Sequence, residues 1–193
     1  MIPLLLVRHG KTEWNLEKRI QGRRDIPLSD IGRKTLEGVR IPARFRAFNW
    51  VSSPLKRAEE TALLLGAEAP HIEPRIIEMD WGDWDGKTLS ELRALYGEEM
   101  RQNEAKGLHM QPPAGESPAM VQERLRPWLM ELSEPTIAVT HKGIIRALKS
   151  LAYNWDMTEK APVPFDWSCV HLFKVDPSGR IFPDCVNIPL ETS

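Results

Sequence analysis

Cysteine is scarce in this chain, with only Cys169 and Cys185 among 193 residues, both in the last quarter. They form neither a Cys-x-x-Cys pair nor a zinc-ligand spacing, so the sequence offers no disulfide framework and no structural zinc site. Both are expected to be reduced and packed, the usual state of free cysteine. Long apolar runs are lacking too. The run that opens the sequence, Met1 to Val7, is far too short for a membrane span or a secretory signal core, and no later segment is longer. A cytoplasmic protein with no membrane partner is therefore expected. Neither sign of charge dominates: Lys+Arg 26 against Asp+Glu 27 gives a net charge of -1. That balance argues against a nucleic-acid partner, which ordinarily requires a basic excess. It leaves room for a local cationic pocket.

What is present has the pattern of a layered α/β domain. Strand-like and helix-like segments alternate. Leu4 to Val7 is a continuous apolar run ending in Arg8-His9-Gly10, and such runs suit strands buried on both faces. A helix is expected after Ser29, with Leu36 and Val39 facing inward, and a strand over Phe48–Val51. Ser53-Pro54 supplies a capping hydroxyl and a proline suited to the first helical position, so a helix should begin there and bury Ala58, Ala62 and Leu65. Thr88-Leu89-Ser90-Glu91 has the form of a capping box ahead of a helix through Leu92 and Leu95. Pro118 opens a helix carrying Val121, Leu125, Trp128 and Leu129. Thr136–Thr140 is a strand ending in His141, followed by a helix over Gly143–Tyr153. Two final strands, Cys169–Val175 and Arg180–Val186, flank the turn Asp176-Pro177-Ser178-Gly179 and should run antiparallel to the rest.

The expected fold is thus a three-layer α/β/α domain. It has a mostly parallel central sheet, an antiparallel edge strand and a small helical cap. One domain spans 1–193, with the cap inserted around 78–115, where the alternation breaks. Asn187 to Ser193 either folds over the site or trails as a tail. His9 and His141 each follow the C-terminal end of a buried strand, where open α/β sheets bind ligands, so two strands can deliver two imidazoles to one place.

Arg8 offers a planar fork that matches phosphate oxygens. Gly10 allows close backbone approach to a ligand, and Thr12 and Asn15 add neutral polar groups. The segment Leu5-Leu6-Val7-Arg8-His9-Gly10-Lys11-Thr12-Glu13-Trp14-Asn15 resembles the signature of the histidine phosphatase superfamily, which includes the phosphoglycerate mutases. The likeness continues through Arg19-Ile20-Gln21-Gly22, Asp25 to Ser29 and Gly32. It resumes at Ser52 to Ala62, at Glu78, at Gly115-Glu116-Ser117 and at Thr140-His141. Single tripeptides recur by chance; ordered blocks over roughly three quarters of a chain do not.

The resemblance implies a phosphatase acting on a small-molecule phosphate ester without metal or cofactor. His9 would be the nucleophile, with Arg8, Arg57 and His141 binding the phosphoryl oxygens and Glu78 carrying the proton. Substrate contacts would come from Asn15, Thr12, Gln21 and Gly22, with Lys142 at the pocket mouth. Lys142 departs from the family, where glycine usually follows the second histidine, and Glu60 stands where glutamine is common. Either Lys142 binds a second anionic group or it points into solvent. Mutases of the family carry Arg-His-Tyr-Gly after the acid and a long basic insert. Here Met79-Asp80-Trp81-Gly82-Asp83-Trp84-Asp85-Gly86 follows instead, and its acidity should disfavour a bisphosphate. Phosphoglycerate mutase-type transfer is the second reading and a non-catalytic phospho-ligand module the third. Trp81 or Trp84 is a candidate wall of the leaving-group pocket. His71, His109 and His171 have no ligand-like spacing. The oligomeric state is open between monomer and homodimer.

Overall fold

Leu4, Leu5 and Leu6 lose all contact with solvent, and this decides the architecture. In a strand, successive side chains point to opposite faces, so three consecutive buried leucines require a layer on each side. The computed structural model, which describes residues 1–192, supplies both. Strand β1 (Ile2–Arg8) carries the leucines. Leu4 and Leu6 face one core, built with Val121, Leu125, Ile144 and Leu148. Leu5 and Val7 face the other, with Leu28, Leu36, Ala58, Ala62 and Leu65. Each fully buried leucine contributes roughly 1.5–3 kcal/mol of transfer free energy.

The remaining elements follow in chain order. They are α1 (Glu13–Leu16), α2 (Asp30–Leu36), β2 (Val39–Arg40), β3 (Asn49–Ser52), α3 (Lys56–Leu65), β4 (His71–Ile72) and α4 (Leu89–Glu104). Then come α5 (Pro118–Glu131), β5 (Thr136–Thr140), α6 (Lys142–Tyr153), β6 (Val170–Val175), β7 (Ile181–Ile188) and β8 (Glu191–Thr192). Six strands form one sheet in the order β4-β3-β5-β1-β6-β7. Within it β1, β3, β4 and β5 are mutually parallel. The antiparallel edge is a hairpin: β6 pairs antiparallel with β1, and β7 lies outside β6. Helices α5 and α6 cover one face and α2 and α3 the other, which completes the three layers.

Several local expectations need correction. Val39 lies in β2 rather than on the inner face of α2, because Leu36 ends that helix. Ser53 does not cap α3, which starts three residues later with Leu55 at its N-cap and no side-chain cap; the serine hydroxyl is used elsewhere. Leu95 is exposed, and α4 is broken at Gly97, whose φ of 49° and ψ of -117° are not helical. Cys169 is half-buried and Cys185 is exposed on β7 rather than packed; both thiols are free. The chain end pairs β8 with β2, Pro189 and Leu190 line a second pocket together with Arg8 and His9, and Ser193 lies outside the described residues. Among the described residues no helix is long and apolar enough to cross a membrane.

Candidate active site

Strands β1 and β5 are neighbours in parallel register, Arg8 opposite Thr140. The next residue on each is a histidine, and the His9 N–H continues the ladder by donating to the Thr140 carbonyl at 2.9 Å. The imidazoles therefore emerge side by side, ring centroids 5.1 Å apart. Both are buried. His9 Nδ1–H donates to the Gly10 carbonyl at 2.7 Å, which puts the proton on Nδ1 and leaves the Nε2 lone pair free. Burial first, then Arg57 and Arg8, hold the His9 pKa well below the ordinary imidazole value, so the ring is neutral. His141 is likewise held neutral, by burial and then by its cationic neighbourhood. His141 Nε2 and Ser53 Oγ are hydrogen-bonded at 2.6 Å. With the hydroxyl donating, the imidazole proton lies on Nδ1, a buried atom with no protein partner.

Arg57 sits in the first turn of α3 and is completely buried. Its Nη1 donates to the Arg24 carbonyl at 2.7 Å and its Nη2 to the Gly22 carbonyl at 2.8 Å, while Nε has no protein partner. Arg8 Nε is also buried and unpartnered. A buried N–H without an acceptor costs on the order of 1–3 kcal/mol. Arg8 Nε, Arg57 Nε and, with its proton on Nδ1, His141 are three such donors; Arg8 and Arg57 line the same cavity as His9, whereas His141 is not among its walls.

Glu78 closes the group. Its Oε1 accepts from Met79 N–H at 2.8 Å and its Oε2 from Gly143 N–H at 3.2 Å. Burial raises its pKa above the ordinary carboxyl range, opposed by these N–H groups and by Arg57 and Arg8. It is thereby suited to hold a proton and to release it.

Arg8, His9, Arg57 and Glu78 line one cavity of about 410 Å³ together with Asn15, Gln21, Gly22 and Lys142. Thr12 is not among its walls. Completely buried, it caps α1 and donates from Oγ1 to Gln21 Oε1 at 2.8 Å, while its N–H donates to Asn15 Oδ1 at 3.0 Å. Both amide oxygens are thus occupied, and the NH₂ groups of Asn15 and Gln21 remain as donors. Thr12 positions those residues rather than contacting the cavity. Gly22 offers Arg57 its carbonyl, and a Cβ there would fall 2.0 Å from Asp85 Oδ1. Gly10 is also explained by packing: its N–H donates to Thr61 Oγ1, and a Cβ would meet Leu36 at 2.8 Å.

Trp81 and Trp84 both line the cavity, stacked with centroids 6.2 Å apart. Asp80, Asp83 and Asp85 do not line it; Asp80 pairs with Arg23 at 3.6 Å and Asp85 faces Arg24 at 3.9 Å. Glu60 pairs with Arg33 at 2.8 Å on the outside. His171 stacks on Phe165 in the core, centroids 4.0 Å apart. No group of three or more His, Cys, Asp or Glu side chains among the described residues is placed to hold a metal ion.

Arg124 stands outside every motif. From α5 its Nη2 donates to the Ile77 carbonyl at 2.9 Å and the Glu78 carbonyl at 3.3 Å, and it also reaches the Arg75 carbonyl. Its Nε binds Glu116 Oε1 at 3.0 Å, and Glu116 in turn accepts from Asp80 N–H at 2.9 Å and pairs with Arg23 at 3.1 Å. This knot fixes the backbone on both sides of Glu78. The pair is half-buried, and loss of its charge-assisted hydrogen bonds costs roughly 1.5–3 kcal/mol. Arg124→Met is expected to lower stability by about that amount in urea unfolding, with kcat reduced more than KM is raised. A loss below about 0.5 kcal/mol, the scale of ordinary surface changes, would show that the knot is dispensable. Only its position on a helix beyond the Gly115-Glu116-Ser117 block distinguishes Arg124 in the sequence.

Comparison with known proteins agrees with this geometry. The family model of the histidine phosphatase superfamily (branch 1) matches residues 4–187. Phosphoserine phosphatase 1 of Hydrogenobacter thermophilus is 32% identical over 169 residues, covering 82% of this chain and 80% of that protein. Glucosyl-3-phosphoglycerate phosphatase of Mycolicibacterium vanbaalenii is 34% identical over 162 residues, covering 75% and 71%. Among solved structures, a mycobacterial glucosyl-3-phosphoglycerate phosphatase complexed with VO3 superposes with a TM-score of 0.79 at 26% identity, covering 97% of this chain and all of that one. Paired strand-end imidazoles, oxyanion-directed donors and a family match over nearly the whole length lead to one conclusion: the chain belongs to the histidine phosphatase superfamily, branch 1.

Proposed function

We propose that the protein hydrolyses a small phosphate monoester through a phosphohistidine on His9. The observation that carries this reading is the free Nε2 lone pair of a neutral, buried His9 facing the same cavity as Arg8, Arg57 and Glu78. In the first step Nε2 bonds to phosphorus while the ester P–O bond breaks. Protonated Glu78 gives its proton to the departing alkoxide, and the Gly10 carbonyl supports the N-phosphorylated ring through Nδ1–H. Arg8, Arg57 and His141 donate to the equatorial oxygens, where charge spreads in the transition state. In the second step water attacks phosphorus and Glu78 carboxylate takes its proton. The P–N bond breaks, neutral His9 is restored, and inorganic phosphate leaves. Asn15 and Gln21 add amide donors, and the segment around 78–115 serves as the cap, whose tryptophans hold the leaving group.

The two phosphatase relatives favour hydrolysis. Phosphoglycerate mutase-type transfer would retain the phosphoryl group until a second hydroxyl arrives. Cytoplasmic residence belongs to the same proposal, supported by the free thiols; the balanced charge supports the absence of a nucleic-acid partner. The test is hydrolysis of p-nitrophenyl phosphate with and without EDTA, followed by 3-phosphoglycerate. Release of inorganic phosphate that is unaffected by EDTA is expected. A requirement for metal, or conversion to 2-phosphoglycerate without phosphate release, would overturn the reading.

A further inference from the structure

The cavity carries more positive charge than a phosphate monoester consumes. A bound phosphate dianion is matched by Arg8 and Arg57, with His9 neutral. Four further cations, Lys18, Arg19, Lys142 and Arg146, also line the cavity, and of these Arg19 is paired with Glu17 at 2.6 Å. The carboxylates there are Glu78 and Glu104, and Glu104 is already paired with Arg93 at 2.7 Å. Neither Lys142 nor Arg146 has a carboxylate within salt-bridge distance among the described residues.

Their placement is unfavourable for the protein alone. Lys142 is the first residue of α6, where the helix macrodipole disfavours a cation. Arg146 lies one turn on, so the two side chains share a helix face. Lys142 Nζ and the Arg8 guanidinium both approach Trp167, each 5.5 Å from the ring centroid. Withdrawal from water, then Arg8 and Arg146, lower the Lys142 pKa. Like charges gathered at the wrong end of a helix, offset by aromatic faces and by Glu78 but by no salt bridge, mark a place where local stability yields to function. An oriented anion would turn each of these costs into an attraction.

We infer that Lys142 and Arg146 form a subsite for a second anionic group on the leaving alcohol, a carboxylate or a second phosphate. The inference rests on the phosphatase reading and narrows its substrate class to esters whose alcohol is itself an acid. The glycine usual at position 142 in the family could not supply this charge.

The test compares esters differing only in that group: 3-phosphoglycerate against glycerol 3-phosphate for a carboxylate, and 1,3-propanediol bisphosphate against 3-hydroxypropyl phosphate for a phosphate. The native protein should favour the acidic member of at least one pair in kcat/KM by about tenfold or more, and the favoured pair identifies the group. In Lys142→Gln/Arg146→Gln that ratio should collapse toward unity through KM. Calorimetric binding of the same esters to His9→Asn reads the subsite without turnover. Charge discrimination there, lost in the triple variant, would support the subsite even if hydrolysis itself failed. Equal preference in native and double-variant proteins, by kinetics and by binding, would overturn the inference.

Discussion

His9→Ala is expected to lower kcat for phosphate-ester hydrolysis by roughly 10⁴-fold or more, the scale seen when a covalent nucleophile is removed. The remaining donors can still bind phosphate, but no atom replaces Nε2. The decisive measurement is rapid acid or base quenching after mixing with ³²P-labelled ester. The native protein should carry label that is stable to base and labile to acid, as an N-phosphoryl bond is, and the variant should carry none. Alanine fits the space without strain on the strand end, and the cores on both sheet faces are untouched. A folded variant that kept a tenth of the activity would remove His9 from the reaction.

Glu78→Gln should separate the two chemical steps. With an alkyl ester the leaving alkoxide needs a proton, and loss of the acid is expected to cost on the order of 10²–10⁴ in rate. With p-nitrophenyl phosphate the departing phenolate is stable unprotonated, so phosphorylation is largely spared. Hydrolysis of the phosphohistidine still requires a base for water. The variant should therefore release a burst of p-nitrophenolate equal to the enzyme concentration, followed by a slow phase. Equal losses on both esters with no burst would mean that another group carries the proton. The pH dependence has a definite sign. The first step needs neutral His9 and protonated Glu78. Thus kcat/KM falls on the acid side only as pH drops through the depressed His9 pKa, and on the alkaline side as pH rises through the elevated Glu78 pKa. Glutamine should abolish the alkaline limb and leave the acid limb in place.

The sheet was legible because burial on both faces leaves a trace in composition. Leu4–Val7 and Thr136–Thr140 can be little other than central strands. Arg8, His9, Arg57, Glu78 and His141 could be picked out through motif order, and the structure gathers their elements at one end of β1 and β5. What failed was local chemistry with two possible uses. Ser53 reads as a helix cap, yet its hydroxyl orients His141. Thr12 reads as a ligand, yet it is a completely buried clamp on two amides. Both outcomes depend on long-range partners, which spacing along the chain does not encode. Arg124 and Arg146 were invisible for a related reason. Surface arginines on helices are common, and only the fold aims one at the Glu78 loop and the other into the cavity. Trp167, far from every motif, enters through the loop before β6.

The two imidazoles stand 5.1 Å apart because they extend adjacent strands of one sheet, and the spacing between paired strands is set by backbone hydrogen bonding at about 4.8 Å. The ruler of the reaction is thus made of peptide groups, which no substitution of side chains can lengthen. The walls that meet the leaving group come from elsewhere in the chain, and their residues can be exchanged while that ruler stays fixed. Such a molecule can inherit its chemistry and acquire its diet separately.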